Sequence, residues 1–234
     1  MIGTIINVVA IIVGCGLGIL FGSRLSENLK KTVVAGMGLF TTAVGFKMFL
    51  KTENELVVLG ALILGAIVGE MVGLEDGITR MGEWLEKRFA GKSQGSSGNF
   101  VRGFLTASIL YCTGPMGILG SISDGLRGDF LTLSIKSVLD GFTSLAFATT
   151  LGIGVAFSAL PVFVYQGTIS LLAAQLNSIL STPMMNEMTA TGGVLLVGIG
   201  ISSLLEIKKI RVGNFLPALV IAPMIVYILN LIIK

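Results

Sequence analysis

Long apolar runs separated by short polar connections dominate the chain, at residues 2–22, 33–50, 56–74, 100–122, 130–158, 161–180, 190–205 and 215–233. A helix needs about 20 predominantly apolar residues to cross a bilayer, so this pattern predicts an all-α polytopic membrane protein of about eight transmembrane helices. The fifth and sixth runs form one nearly unbroken stretch, with a turn expected at Ser158-Ala159-Leu160-Pro161. The fourth is interrupted by Gly114-Pro115. Proline removes a backbone donor and crowds the preceding turn, and glycine favours departure from helix, so this span is expected to break near Gly114. A seven-span or re-entrant arrangement stays open on that account. Gly152-Ile153-Gly154 marks a second expected break, in the fifth span.

Composition narrows the function classes. Of 234 residues, 53% are hydrophobic and 12% charged, against roughly 25% charged in soluble domains. A soluble enzyme, a nucleic-acid binder and a disulfide-stapled secreted domain are excluded. The absence of histidine removes His-based triads and His-ligated metal sites. Cys15 and Cys112 lie in apolar segments far apart in sequence and read as buried free thiols. No cofactor and no metal is called for.

The net charge of +3 matters through its placement. With the N-terminus outside, the inner connections hold Arg24, Lys30, Lys31, Arg80, Lys87, Arg88, Lys92, Arg102, Lys208, Lys209 and Arg211. Lys47, Lys51, Arg127, Lys136 and Lys234 fall on the other side. Cytoplasmic loops collect Lys and Arg, which favours both termini outside the cytoplasm. The first run lacks a basic leader and a small-residue cleavage site and is followed by Arg24, so it is expected to be a retained span. In the longest connection, Ile78, Met81, Trp84, Leu85 and Phe89 recur at helical spacing opposite Glu83, Glu86, Lys87 and Arg88. That is the signature of an amphipathic helix lying in the membrane interface.

A constant offset of 157 pairs Thr32 with Thr189, Gly36 with Gly193, Leu39 with Leu196, Lys51 with Lys208 and Ala61 with Ala218. Spans one to three would then correspond to spans six to eight, inverted, as in many secondary transporters. The expected organisation is a three-span repeat with its interfacial helix over 1–90 and a flexible linker over 91–99. A central broken-helix pair over 100–160 and a second three-span repeat over 161–234 complete it. Glycines at 14, 18 and 22 and at 65, 69 and 73 form two ladders for close helix packing, within the chain or between subunits.

Candidate chemistry collects in the central pair. Broken helices leave backbone groups that need partners, so in a membrane they tend to line cavities. Intramembrane charges are costly and usually face the bundle interior or a water-filled path. Lys136 and Asp140, four residues apart, share a helical face and can pair. Together with Asp124, the neutral groups of Tyr111, Thr113, Ser121 and Gln166, and the backbone at Gly114, they make a candidate solute or ion site. The alternative is a structural ion pair. Glu70, near the end of the third span, is a gating or coupling candidate, or a side chain that reaches for water. Asn7 reads as a hydrogen-bonding link between helices.

The stretches Cys112-Thr113-Gly114-Pro115-Met116-Gly117-Ile118-Leu119-Gly120-Ser121-Ile122, Asp124-Gly125-Leu126-Arg127-Gly128-Asp129, Lys136-Ser137-Val138-Leu139-Asp140-Gly141-Phe142, Gly152-Ile153-Gly154-Val155 and Tyr165-Gln166-Gly167 resemble the bacterial inner-membrane family catalogued as domain of unknown function 554. The resemblance covers the whole chain and implies a bacterial plasma-membrane protein and a transporter of unnamed substrate. The expectation is a secondary transporter or channel for a small polar or ionic solute, not an enzyme. It contacts membrane lipid and no nucleic acid, and assembles as a homo-oligomer, a dimer being favoured. A lipid-interacting or scaffold protein that moves no solute is the alternative.

Overall fold

The computed structural model describes residues 1–22, 26–89, 97–112 and 114–232. Every regular element among them is helical. In chain order they are α1 (Ile2–Gly22), α2 (Glu27–Phe49), α3 (Glu55–Val72), α4 (Leu74–Phe89), α5 (Ser97–Cys112), α6 (Pro115–Arg127), α7 (Leu131–Leu151), α8 (Gly154–Phe157), α9 (Ala159–Leu171), α10 (Ala173–Ile179), α11 (Thr182–Ile199) and α12 (Ala218–Ile232). A π-helical turn, Gly200–Leu204, extends α11, and a 3₁₀ turn, Val212–Phe215, precedes α12.

Among the described residues, six stretches are long and apolar enough to cross a membrane, and α5 with α6 makes a seventh as a pair bent by 62°. The bend falls where Gly114-Pro115 was expected to break the fourth span. Gly114 is extended, and Pro115 opens α6 at a position where a missing N–H costs no hydrogen bond. At 21 residues α7 has the length of the eighth expected span, but with Lys136, Asp140 and its many hydroxyls it is not among the stretches apolar enough to cross.

The turn expected at Ser158–Pro161 lies earlier. Gly152 has φ 72° and ψ −156°, a conformation essentially confined to glycine, and it ends α7. Ser158 instead has helical dihedrals, and Pro161 sits in the first turn of α9, where its ring is tolerated. The stretch Gly154–Leu171 therefore forms one span, and the second break separates two spans instead of interrupting one. Of the linker expected over 91–99, residues 91–96 lie outside the described residues, and residues 97–99 form the first turn of α5. The amphipathic segment is helical as α4, with Trp84 and Met81 exposed.

The chain divides into two compact units, Met1–Gly36 with Thr79–Ser178 and Met37–Ile78 with Ile179–Lys234. In the first, α1 lies along α7 and also meets α9, while α6 packs on α7 and α9, and α5 on α7, α8 and α9. In the second, α12 packs on both α3 and α11.

Both glycine ladders are used inside the chain. A Cβ at Gly18 would stand 2.9 Å from Ala148 Cβ, one at Gly22 2.7 Å from the Thr149 carbonyl oxygen, and one at Gly14 would overlap the Gly141 carbonyl. Only glycine lets α1 and α7 approach this closely. In the second unit a Cβ at Gly65 would stand 2.6 Å from the Ala218 nitrogen, and one at Gly69 would overlap the Asn214 backbone. Gly73 instead ends α3 in the left-handed conformation, its N–H donating to the Glu70 and Gly69 carbonyls.

Candidate functional site

The interior of the first unit is polar where a membrane bundle would ordinarily be apolar. Helical spacing places Thr4 and Asn7 on one face of α1, Gly117, Ser121 and Asp124 on one face of α6, Lys136, Asp140 and Ser144 on one face of α7, and Gln166 and Ser170 on one face of α9. All of these polar side chains are buried.

Lys136 Nζ donates to Asp140 Oδ2, an ion pair one helical turn long, and Asn7 Nδ2 donates to the same oxygen at 3.0 Å. Asn7 thus links α1 to α7, as its sequence position suggested. The Lys136 ammonium also lies 5.7 Å from the centre of the Tyr111 ring, within range of a cation–π attraction. The Tyr111 hydroxyl meets Ser144 Oγ at 2.7 Å. Tyr111, Lys136, Asp140 and Ser144 therefore form one connected group shared by α5 and α7, with Asn7 of α1 attached.

Asp124 stands elsewhere in the same interior. Its Oδ2 accepts from the Gly3 N–H at 3.0 Å and its Oδ1 faces the Met1 ammonium at 3.0 Å. A carboxylate here satisfies an otherwise orphaned N–H of the first turn of α1 and offsets the positive end of the helix dipole. Ser170 Oγ donates to the Ser121 carbonyl at 2.9 Å, tying α9 to α6.

Several buried polar atoms have no partner among the described residues: Thr4 Oγ1, Asn7 Oδ1, Thr106 Oγ1, Ser121 Oγ, and both Nε2 and Oε1 of Gln166. All belong to the first unit. The large majority of buried side-chain polar atoms in folded proteins are paired, and each orphan costs about 1–3 kcal/mol. Such atoms are what a water or a hydrogen-bonding solute would satisfy.

Of the sequence-derived site residues, Lys136 pairs with Asp140 and lies over the Tyr111 ring. Gln166 approaches Lys136 across Gly117, whose absent Cβ would lie 3.5 Å from Lys136 Cε and 3.9 Å from Gln166 Nε2. Ser121 and Asp124 continue the same face of α6, and Gly114 starts that helix. Thr113 lies outside the described residues. Thr4, Thr106, Ser144 and Ser170 are additional polar positions. Thr4 had a readable signal, its spacing of three from Asn7, whereas single hydroxyls in helices usually bond their own backbone and announce nothing.

Glu70 belongs to a different cluster, in the second unit. Its Oε1 accepts from Arg211 Nη1 at 2.7 Å, and its Oε2 accepts from Asn214 Nδ2. Arg211 Nη2 reaches Asp76 Oδ1 at 2.7 Å. Glu75 closes the group, its Oε2 accepting from the Gly213 N–H at 2.6 Å while its own N–H donates to Asn214 Oδ1 at 2.8 Å. The hydrogen bond to Asp76, reinforced by the charges of Asp76, Glu70 and Glu75, raises the pKa of Arg211 further above its ordinary value. A pocket of about 510 Å³ opens beside this cluster, lined by Ala66, Ile67, Glu70, Met71, Arg211, Asn214 and Phe215. Glu70 is thus held by partners, one of them Arg211, which sequence alone placed only on an inner connection.

Glu187 was not anticipated. It is 1% exposed, on α11. Its Oε2 accepts from Thr52 Oγ1 at 2.6 Å, and its Oε1 from the N–H groups of Glu53 at 2.7 Å and Asn54 at 3.0 Å. The seventh apolar run starts at residue 190, so this helical carboxylate looked like part of a connection.

The family model described as Protein of unknown function (DUF554) matches residues 2–227. The chain is 32% identical over 234 residues to the uncharacterized membrane protein YdfK of Bacillus subtilis (strain 168), covering 98% of this chain and 97% of that one. It is also 32% identical over 223 residues to the uncharacterized protein YqgA of Escherichia coli (strain K12), covering 95% and 94% respectively. No solved structure matches.

Proposed function

The chain belongs to the DUF554 family of membrane proteins, and we propose that it moves a small polar or ionic solute across the bacterial plasma membrane through the interior of its first unit. The observation that carries this reading is the set of buried, unpartnered polar atoms on α1, α5, α6 and α9, in the same interior as the Lys136–Asp140 pair. A bundle needing only structural strength gains little from such groups, because each costs free energy that an apolar side chain of similar size would not. Their concentration in the unit that holds the bent α5–α6 pair supports a solute path there, since helices interrupted at membrane depth are tolerated where they line a cavity.

In this reading the bend between Cys112 and Pro115 allows α6 to move relative to α5, and the small residues Gly117, Gly120 and Gly125 let it slide along α7 and α9. Lys136 and Asp140 set the local field by holding each other, and Asp124 holds the start of α1 against α6. Glu70, in the second unit, is the gating or coupling candidate there, beside the 510 Å³ pocket that it lines. The distribution of Lys and Arg supports an orientation with both termini outside the cytoplasm.

The test is flux. The purified full chain is reconstituted into liposomes and assayed against a panel of cations, anions and neutral solutes, alongside a variant carrying Asp140→Asn with Lys136→Met. Flux present in the parent and lost in the variant supports the reading. Flux that the double substitution leaves unchanged would remove the site from the path.

A further inference from the structure

The 510 Å³ pocket of the second unit lies at one end of a membrane span. The span on α3, Glu55–Val72, has 18 residues, which rise about 27 Å and nearly match the roughly 30 Å hydrocarbon core of a bilayer. Ala66, Ile67, Glu70 and Met71 line the pocket from the last two turns of that span, and Arg211, Asn214 and Phe215 complete its wall. The pocket therefore opens at the depth where hydrocarbon gives way to lipid headgroups. Its volume falls in the range of sites that hold small molecules.

Its chemistry is split between an apolar wall and a charged rim. Ala66, Ile67, Met71 and Phe215 form the wall, and the Ile67 and Met71 side chains are exposed. A second cavity of about 200 Å³ shares Phe215 and is otherwise bordered by aliphatic residues and a glycine, among them Val194, Gly198 and Val212. At the rim, Arg211 spends two of its five N–H donors on Glu70 and Asp76, leaving donors for a further acceptor. The neighbouring charges that act on Arg211, from Asp76, Glu70 and Glu75, are all negative. The side chains of Glu70 and Asp76 are 61% and 63% exposed, and a carboxylate has about four acceptor sites, so both can take another donor.

We propose that this pocket binds a membrane phospholipid whose head carries both a phosphate and a primary ammonium, as phosphatidylethanolamine does. The phosphate meets Arg211, the ammonium lies against Glu70 and Asp76, and an acyl chain follows Ile67, Met71 and Phe215. A lipid with a phosphate and no ammonium would bring negative charge to three carboxylates with nothing to offset it, and like charges brought together are costly. A quaternary ammonium has no N–H to donate to them. The inference stands apart from the transport reading, whose path lies in the first unit.

The experiment titrates the purified full chain in detergent with phosphatidylethanolamine, phosphatidylglycerol and phosphatidylcholine of identical acyl chains, and counts retained lipid by native mass spectrometry. One phosphatidylethanolamine is expected to be held about tenfold more tightly than either other lipid, the worth of about one charge-assisted hydrogen bond. Glu70→Gln, which keeps the shape of the side chain and removes its charge, is expected to erase that preference. Ala66→Phe, which fills the pocket, is expected to weaken phosphatidylethanolamine binding about tenfold or more; Ile67→Trp makes the same test if the Ala66 variant does not fold. Val9→Phe, on the exposed face of α1, is expected to leave binding at the parent level. Equal retention of the three lipids, or a preference for either of the other two, overturns the headgroup assignment. A phosphatidylethanolamine preference that survives both Glu70→Gln and the pocket-filling variant overturns the site.

Discussion

Replacing Glu187 tests whether a single buried carboxylate holds the entry to α3. The side chain reaches from α11 to Thr52, Glu53 and Asn54, the residues that lead into that helix. Asn54 is itself the N-cap, its side chain accepting from the Leu56 N–H at 3.1 Å. Hydrogen bonds to a charged group contribute about 1.5–3 kcal/mol each, and a buried donor left without a partner costs about 1–3 kcal/mol. Glu187→Ala strands the N–H groups of Glu53 and Asn54 and the Thr52 hydroxyl together. Water reaches the exposed side of this connection, since Glu53 and Asn54 are themselves exposed, and satisfies part of the loss. The expected destabilisation is about 2–5 kcal/mol. Glu187→Gln keeps one carbonyl oxygen for the two N–H groups and lets the Thr52 hydroxyl turn to accept from the new amide. It should lose about 1–2 kcal/mol, the difference between charged and neutral acceptors. The assay is reversible unfolding in mixed micelles with increasing dodecyl sulfate, followed by far-ultraviolet circular dichroism, with Thr52→Val completing a double-mutant cycle. A Glu187→Ala protein within about 0.5 kcal/mol of the parent, or a cycle with no coupling between positions 52 and 187, would refute the reasoning; ordinary surface changes fall in that range.

Three further outcomes follow from particular residues. Gly152→Ala meets no atom within 4 Å, so its cost is backbone strain alone; about 1–3 kcal/mol is expected in the same unfolding assay, and a neutral result would mean the turn ending α7 is not held at φ 72°. Gly18→Val should destabilise by about 1–3 kcal/mol through overpacking of α1 against α7, while Gly16→Val on the same helix, with nothing within 4 Å, stays neutral. Equal effects at both positions would deny the close α1–α7 crossing. Arg211→Gln removes the bridge between Glu70 and Asp76, and faster amide hydrogen exchange at Gly213 and Glu75 is expected by mass spectrometry; unchanged exchange would show that Glu75 and Asn214 hold the cluster without it.

The polar stripe of the first unit was partly visible in one dimension. Lys136 and Asp140 announced themselves because charges in an apolar run are expensive, and a spacing of four put them on one face. Gly114-Pro115 announced the bend through local backbone chemistry, which needs no tertiary knowledge. The chain turns at Gly152, in a conformation a side chain would resist, and not at Ser158–Pro161, because proline there is accommodated in the first turn of a helix. Glu187 lies in a window polar enough to resemble a connection, although Ser181 caps a helix that begins at Thr182. Its three donors lie more than 130 residues away in sequence, which no local rule connects.

The all-helical membrane architecture, the position of the bend and the presence of ionic groups inside an apolar chain came from the order of residues, since each follows from local backbone preference or from the cost of burying charge in hydrocarbon; the count of eight spans exceeded the six or seven among the described residues. The partners of those groups did not. That Asp124 holds the first turn of α1 while Asp140 faces Lys136, that the ladder of Gly14, Gly18 and Gly22 serves α7 instead of a second subunit, and that Gln166 is left unsatisfied beside Gly117, are all decided by contacts between segments distant in the chain. Such contacts depend on which helix faces meet, and helices of nearly uniform apolar composition carry too little local information to choose among the many pairings open to them.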